Sequence, residues 1–352
     1  MKGLSRFYQA ILRCALWLQR RCNDGASFST LNYHRVLPVP VAGNALPERD
    51  FIAQLAILQR YFQVFDLSEA LALAQQKRLP ANAVVITVDD GYVDCYDTIF
   101  KWLQHYQLTA TFFITTVGLD DGYLWENLFA FCTDACADRT VQLQLAGHSI
   151  TLDAANSSHR TAQVQRLKHW IKYQSLQQRQ QVLQQLQQQT VPEQHPARCF
   201  VNGAQLAEMA SAGMTIGAHT VHHPILSQES DDVAHTEIAE SQHRLQQEIN
   251  QTVRYFAYPN GKSTLDYSNK HVTMLKKLGF EAAFSTDWGL SQPNQQCHFQ
   301  LKRFTPWDSH AGRFALRLVA NSLVEHHLFQ WLRPLVRPTP APHGFEPTNK
   351  QD

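Results

Sequence analysis

The chain of 352 residues contains no run of about eighteen consecutive apolar residues, so no transmembrane helix is expected. It also lacks a surplus of either charge: 31 Lys and Arg stand against 30 Asp and Glu, a formal net charge of +1. Nucleic-acid binders normally carry a basic excess, so nucleic acid is not an expected partner. Charged residues are few at 17%, yet hydrophobic residues reach 44%, which excludes a disordered or collagen-like chain. There is no Cys-x-x-Cys. The seven cysteines, odd in number and scattered, read as reduced thiols in a cytosol-like compartment, and a cytoplasmic location is expected. Cys132 and Cys136 read as helix packing rather than half of a zinc site. The N-terminus lacks a small-x-small cleavage site, and Arg13 interrupts its apolar region, which argues against a signal peptide.

What is abundant is histidine, with 17 residues, and histidine is both the commonest metal ligand and the commonest acid/base group. The N-terminal segment, 1–26, reads as a basic amphipathic helix. On a helical projection Lys2, Arg6, Arg13 and Arg20 form one stripe, with Leu4, Phe7, Ile11, Ala15 and Leu18 opposite. Two accounts fit this pattern: a helix docked on its own domain, or one lying peripherally on an anionic membrane, here the inner face. A second basic, aromatic helix bearing Arg313, Phe314, Arg317, Trp331 and Arg333 would add to such a contact.

Residues 27–37 read as a first strand. AVVITV (83–88) and ATFFITTV (110–117) are continuous apolar, β-branched runs, as expected of strands buried on both faces. The alternation of strand and helix implies a parallel sheet with right-handed crossovers. It lapses over 118–200, where ten Gln fall between 174 and 189, and Val182, Leu183 and Leu186 suggest an exposed helix with a thin apolar stripe. It resumes to about 309. A closing helix over 310–337 and a Pro-rich tail, 338–352, complete one α/β domain (27–309) with an insertion.

Two features follow predicted strands directly, where parallel α/β folds place their sites. The first is Asp89-Asp90-Gly91. Adjacent carboxylates repel unless a cation or a shared proton intervenes, and both face one site only if the chain curls, as Gly91 permits. A plain Asp-Asp-Gly turn is the alternative. The second is His219-x-x-x-His223, the spacing of two ligands on one face of a helical turn. With one carboxylate the pair forms a His₂–carboxylate set with open positions for water and substrate. His222 is assigned no role.

The motifs TVDDGY (87–92), ATFFI (110–114), GMTIGAHTVHHPIL (213–226), IAESQHRLQQEI (238–249), FAYPNGK (256–262) and LGFEAAFST (278–286) occur in this order. In them the sequence resembles the polysaccharide deacetylases of carbohydrate esterase family four, the NodB-homology domain, over about residues 27–305. The resemblance implies a distorted (β/α) barrel of about seven parallel strands with a helical insertion, and metal-dependent removal of an acyl group from an amino-sugar nitrogen. By position it assigns Asp90, His219 and His223 to a divalent metal, zinc first with cobalt, nickel or iron as alternatives, and Asp89 to the general base. The amide of Asn260, after Tyr258, falls at the position that donates to the oxyanion.

Two departures stand out. Many members place Arg two residues before Pro259, steadying the base; here that residue is Ala257, with Arg303 as the candidate substitute. The late Leu-x-His that supplies the general acid reads Leu301-Lys302-Arg303. Members with a circularly permuted barrel use a histidine in an early Tyr-His strand, which points to His34, with His298 and His310 behind it. Tyr258, Asn260, Arg303 and Trp288 are counted around the substrate, Trp288 as either a sugar-stacking or a packing residue. The expected partner is an N-acylated glycan or a lipid-linked sugar. Three function classes follow: a deacetylase of amino-sugar polysaccharide or its precursor, a deacylase or deformylase of a lipid-linked sugar, and a non-catalytic carbohydrate-binding barrel.

Overall fold

The computed structural model describes residues 6–39, 45–120, 122–191, 194–197, 199–324 and 331. The chain divides into two compact units: residues 1–123 with 198–336, and residues 124–197 with 337–352. The predicted tail, 338–352, lies outside the described residues.

The first unit is built on seven parallel strands: β1 (Ser29–Tyr33), β2 (Ala83–Val88), β3 (Thr111–Ile114), β4 (Thr215–Ala218), β5 (Tyr255–Ala257), β6 (Ala282–Trp288) and β7 (Leu301–Arg303), hydrogen-bonded in that order. A short strand, Gln63–Val64, pairs with the start of β2. The sheet nearly closes into a barrel. Just past β7 the Phe304 N–H donates to the Thr30 carbonyl at 2.7 Å, and the Asn32 N–H donates to the Phe304 carbonyl at 2.9 Å. The continuous apolar runs have their reason here. In β2, Val84, Ile86 and Val88 pack outward among the helices, while Ala83 and Val85 join Phe28, Phe113, Tyr255 and Phe284 in a second cluster. Each such aromatic stabilises the fold by about 1.5–3 kcal/mol through burial.

The helices of this unit include α1 (Arg6–Cys22), α2 (Glu48–Tyr61), α3 (Asp231–Ile249) and α4 (Asn269–Lys277). A fifth, α5 (Ala311–Leu323), follows β7. Helix α1 docks with Leu12 and Gln19 buried and Tyr8 lying against Gly312 of α5. This departs from the projection, because Ile11 is exposed while Trp17, at 55%, stands out beside Arg13, Arg20 and Arg21. Lys2, Leu4 and the side chains of residues 6 and 7 lie outside the described residues. Of the anticipated basic, aromatic surface near the last helix, Arg313 and Trp331 are exposed, while Phe314 and Arg317 are not free to join it. Phe314 is fully buried and Arg317 is held by Asp308 at 2.6 Å, because this face packs on the barrel. Arg333 is not among the described residues. None of the described helices is long and apolar enough to cross a membrane.

Two further local expectations change. The first strand breaks at His34 and resumes as Arg35–Leu37, and the helix after β2 opens with a wide turn, Cys95–Phe100. The second unit holds helices Trp125–Asp134, Ser157–Lys172 and Leu176–Thr190. It also contains a hairpin, Val141–Leu145 with His148–Leu152, that periodicity did not reveal. The glutamines serve that hairpin: Gln189 and Gln185 accept from the Gln144 and Ala146 N–H groups, each at 2.9 Å, satisfying an otherwise open edge.

Candidate active site

At the carboxyl ends of β1, β2, β4 and β7 the barrel gathers His34, Asp89, Asp90, His219, His223 and Arg303. The curl at the end of β2 is real. Asp90 and Gly91 both adopt left-handed backbone, with φ of 77° and 87°. A Cβ on residue 91 would meet Ile114 at 3.0 Å, so glycine suits the position sterically as well. The strain at Asp90 is about 1–3 kcal/mol. It is offset by Thr115, whose hydroxyl and N–H both donate to the Asp90 carbonyl, at 2.6 and 3.2 Å.

The histidines are brought together differently from the helical turn their spacing suggested. Residues 219–223 form an irregular loop with left-handed backbone at Thr220 (φ 66°) and His223 (φ 55°), and Pro224 follows. The rings still meet, with centroids 4.9 Å apart. His219 Nε2 lies 3.6 Å and His223 Nε2 3.7 Å from Asp90 Oδ1.

The donor chemistry of these three residues fits a cation. His219 Nδ1–H donates to the Ala257 carbonyl at 2.7 Å, and a carbonyl can only accept, so Nδ1 carries a proton. Nε2 is thereby turned toward the Asp90 carboxylate oxygen at 3.6 Å, an arrangement that a positive charge stabilises, whether a proton on the ring or a cation between the two atoms. Ligand atoms of Asp90, His219 and His223 all lie within 4.8 Å of one another. A divalent metal satisfies them, and the Ala257 carbonyl then orients the histidine from behind.

Asp89 stands apart from this trio. Its carboxylate is 1% exposed, and burial alone would raise its pKa. The Arg303 guanidinium, then His219 and His34, outweigh that and hold the carboxyl below the usual range. Arg303 Nη1 donates to Asp89 Oδ1 at 2.7 Å and to Asn32 Oδ1 at 3.1 Å, while Nε donates to the Ser285 carbonyl at 3.0 Å. The guanidinium that Ala257 cannot supply therefore comes from β7. At 2% exposure Arg303 lies buried beneath Asp89, away from any substrate, which corrects its place among the substrate contacts. On the open side, His34 Nε2 lies 3.9 Å from Asp89 Oδ2 with 27% of its side chain exposed. Asp90 likewise ionises readily: burial opposes this, but His219, His34 and His223 together bring its pKa far down.

Other expectations are revised. Tyr258 is wholly buried and stacked on Tyr267 at 3.7 Å, so it packs the outer core and cannot touch a substrate. Its neighbour Asn260 is partly exposed in left-handed backbone (φ 59°), and among the described residues its N–H has no partner. Trp288 packs with Phe304 at 4.5 Å and Trp307 at 5.3 Å around the Arg317 guanidinium, the packing alternative rather than a wall of the polar cluster. His298 precedes β7 and so lies at the wrong end of that strand, and His310 caps α5, its Nδ1 accepting from the Gly312 N–H at 3.1 Å. Asn32 and Glu237 were missed. Asn32 could have been found from the run Leu31-Asn32-Tyr33, which sets an amide between two core residues.

The family model described as polysaccharide deacetylase matches residues 76–198 and 193–283, more than half of the chain. The chain belongs to the polysaccharide deacetylase family. It is therefore a hydrolase of carbon–nitrogen bonds outside peptides, since the family removes acetyl groups from polysaccharide by hydrolysing N-acetyl amide bonds. It is 22% identical over 274 residues to YxkH of Bacillus subtilis (strain 168), covering 77% of this polysaccharide deacetylase and 68% of that protein. Among solved structures, the Streptococcus pyogenes deacetylase PplD in complex with acetate aligns with a TM-score of 0.54 at 19% identity, over 79% of this chain and 92% of that one. IcaB from Ammonifex degensii aligns with a TM-score of 0.52 at 19% identity, over 83% and 98%. At these identities the likeness is one of fold.

Proposed function

We propose that this polysaccharide deacetylase is a divalent-metal-dependent enzyme that removes acetyl groups from the amino-sugar units of a glycan or its precursor. The observation that carries the reading is the division of labour between adjacent carboxylates: Asp90 turns toward two histidines, while Asp89 is tied to Arg303. A cation held by Asp90, His219 and His223, zinc first among the candidates, supplies Lewis acidity that polarises the acyl carbonyl and lowers the pKa of a water toward ~7. Asp89, its Oδ1 engaged by Arg303, takes the proton from the attacking water through Oδ2. The Asn260 N–H donates to the oxyanion as the carbonyl carbon becomes tetrahedral. His34 gives a proton to the sugar nitrogen as the carbon–nitrogen bond breaks, leaving acetate and a free amine. A non-catalytic barrel would have no use for a carboxylate kept apart from the ligand set.

A second reading places the substrate on a lipid carrier at the cytoplasmic face of a membrane. It is supported by the exposed Ile11, Trp17, Arg13, Arg20 and Arg21 on α1, a helix without a single acidic residue.

Acetate release from N-acetylglucosamine oligomers, measured with and without a chelator, tests the first reading. Activity should vanish on chelation and return with zinc or cobalt. Asp89→Asn should abolish turnover while the metal stays bound. Full activity in that variant would sink the assignment of the base.

A further inference from the structure

The loop that carries His219 and His223 has no helix to hold its shape, yet it keeps two non-glycine residues in left-handed backbone, Thr220 and His223. Such a loop relaxes unless its polar groups are engaged from outside. Its carbonyls are met by the turn after β3: the Thr116 N–H donates to the Thr220 carbonyl at 3.2 Å, and the Val117 N–H donates to the Val221 carbonyl at 3.0 Å. The His223 N–H donates within the loop to Thr220 Oγ1 at 3.1 Å, and the two N–H groups between them converge on one side chain from outside. Glu237 Oε2 accepts from the Val221 N–H at 3.0 Å and from the His222 N–H at 2.8 Å, and Oε1 accepts from His222 Nδ1 at 2.7 Å.

Glu237 is only 5% exposed, and its place on α3 is fixed by the buried stripe of Ala234, Ile238, Ser241 and Leu245 around it. A carboxylate in the middle of an apolar stripe is costly without donors. Here two successive backbone N–H groups and an imidazole supply them, in the manner of an anion nest. All three donors belong to Val221 and His222, the two residues that precede His223. The residues at 220 and 223 whose backbone is strained flank this anchored pair on either side.

We propose that Glu237 is a positioning residue for the metal: it sets the 219–223 loop, before any ion arrives, in the shape that aims both histidines at Asp90. It touches neither metal nor substrate and acts through the loop backbone. His222 contributes one of the three bonds and is dispensable, because the two N–H groups remain. The inference rests on the metal-dependent reading above.

The experiment is a zinc titration of the chelator-stripped protein against a chromophoric competitor, for the wild type, Glu237→Gln, Glu237→Asp and His222→Gln. Second-sphere losses of this kind weaken metal affinity about 10–100-fold, and that range is expected for Glu237→Gln. Glu237→Asp retains the charge but is one methylene too short to reach both N–H groups, and it should weaken zinc in the same direction. His222→Gln should bind within about twofold of wild type. A purely structural role would lower the melting temperature equally with and without zinc; positioning instead shrinks the rise that zinc produces. Wild type that fails to bind zinc one to one removes the metal-dependent reading itself. Wild type that binds, with Glu237→Gln and Glu237→Asp unchanged in affinity, overturns the role of Glu237 alone. If Glu237→Gln does not fold, the result for Glu237→Asp decides.

Discussion

Asp89 and Arg303 lie 214 positions apart in the chain, and their side chains meet at 2.7 Å, both almost wholly buried. Removing either partner strands a buried charge, which costs about 3–5 kcal/mol, whereas an apolar pair of similar volume can be close to neutral. Arg303→Met should therefore be strongly destabilised in urea unfolding, and the double variant Asp89→Leu, Arg303→Met should regain most of the loss while remaining inactive. Additive destabilisation in the double variant would show that the two side chains are not energetically coupled.

His34 faces Asp89 across 3.9 Å from the exposed side. If it protonates the departing amine, His34→Gln should slow hydrolysis of an N-acetyl sugar by about 10²–10⁴-fold. An activated aryl acetate releases a stable phenolate as its carbon–oxygen bond breaks and needs no proton there, so its hydrolysis should barely change. Equal slowing of both substrates would assign His34 to the attack or to binding instead.

His271 on α4 is buried, and its Nδ1 accepts from the Ser268 N–H at 2.9 Å, which requires an unprotonated nitrogen. Burial first, then Lys270, lowers its pKa to about 4, with Asp231 acting in the opposite direction. Above the ordinary value of 6.5 the ring is neutral in both folded and unfolded chains. Between 6.5 and about 4 only the unfolded chain takes the proton, so stability falls as the pH drops through this window and levels off below it. Urea titrations at several pH values should show a shallower fall for His271→Gln, whose carbonyl can still accept the capping bond. An unchanged slope would place the titration elsewhere.

The exposed face of α1 should bring the protein to anionic vesicles. Deleting the helix would uncover the core beneath Leu12, so charge substitution is the cleaner test. Arg13→Gln, Arg20→Gln and Arg21→Gln together should release the protein from phosphatidylglycerol vesicles, each arginine being worth about 1 kcal/mol near such a surface. Wild-type binding should weaken with salt. Co-sedimentation that survives both the triple variant and high salt would rule the helix out as an electrostatic contact.

The barrel was legible in the chain because its strands are buried on both faces and so read as uninterrupted apolar runs, and because Gly91 follows the paired carboxylates at the point where the backbone must turn left-handed. The hairpin at 141–152 was not legible. Its outer face is polar and its edge is satisfied by Gln185 and Gln189 from a helix far along the chain. Glu237 left a usable signal, a single carboxylate on a helical stripe with Ala234, Ile238, Ser241 and Leu245, although not the identity of its partners.

The identity of the chemical groups, two histidines and two aspartates after strands, follows from composition and spacing within short stretches, where local geometry is narrow. Which carboxylate turns to the histidines and which to Arg303, that Tyr258 is buried in the core, and that His34 rather than His298 faces Asp89 depend on closure of the sheet. Closure brings β7 beside β1 and selects among side chains that the linear order leaves equivalent, because electrostatic and packing energies depend on distance through space. The abundant histidine divides along the same line: His219 is placed by the Ala257 carbonyl and His222 by the buried Glu237, both through tertiary contacts, whereas His271 is placed locally, by the N–H of Ser268 in the cap of its own helix.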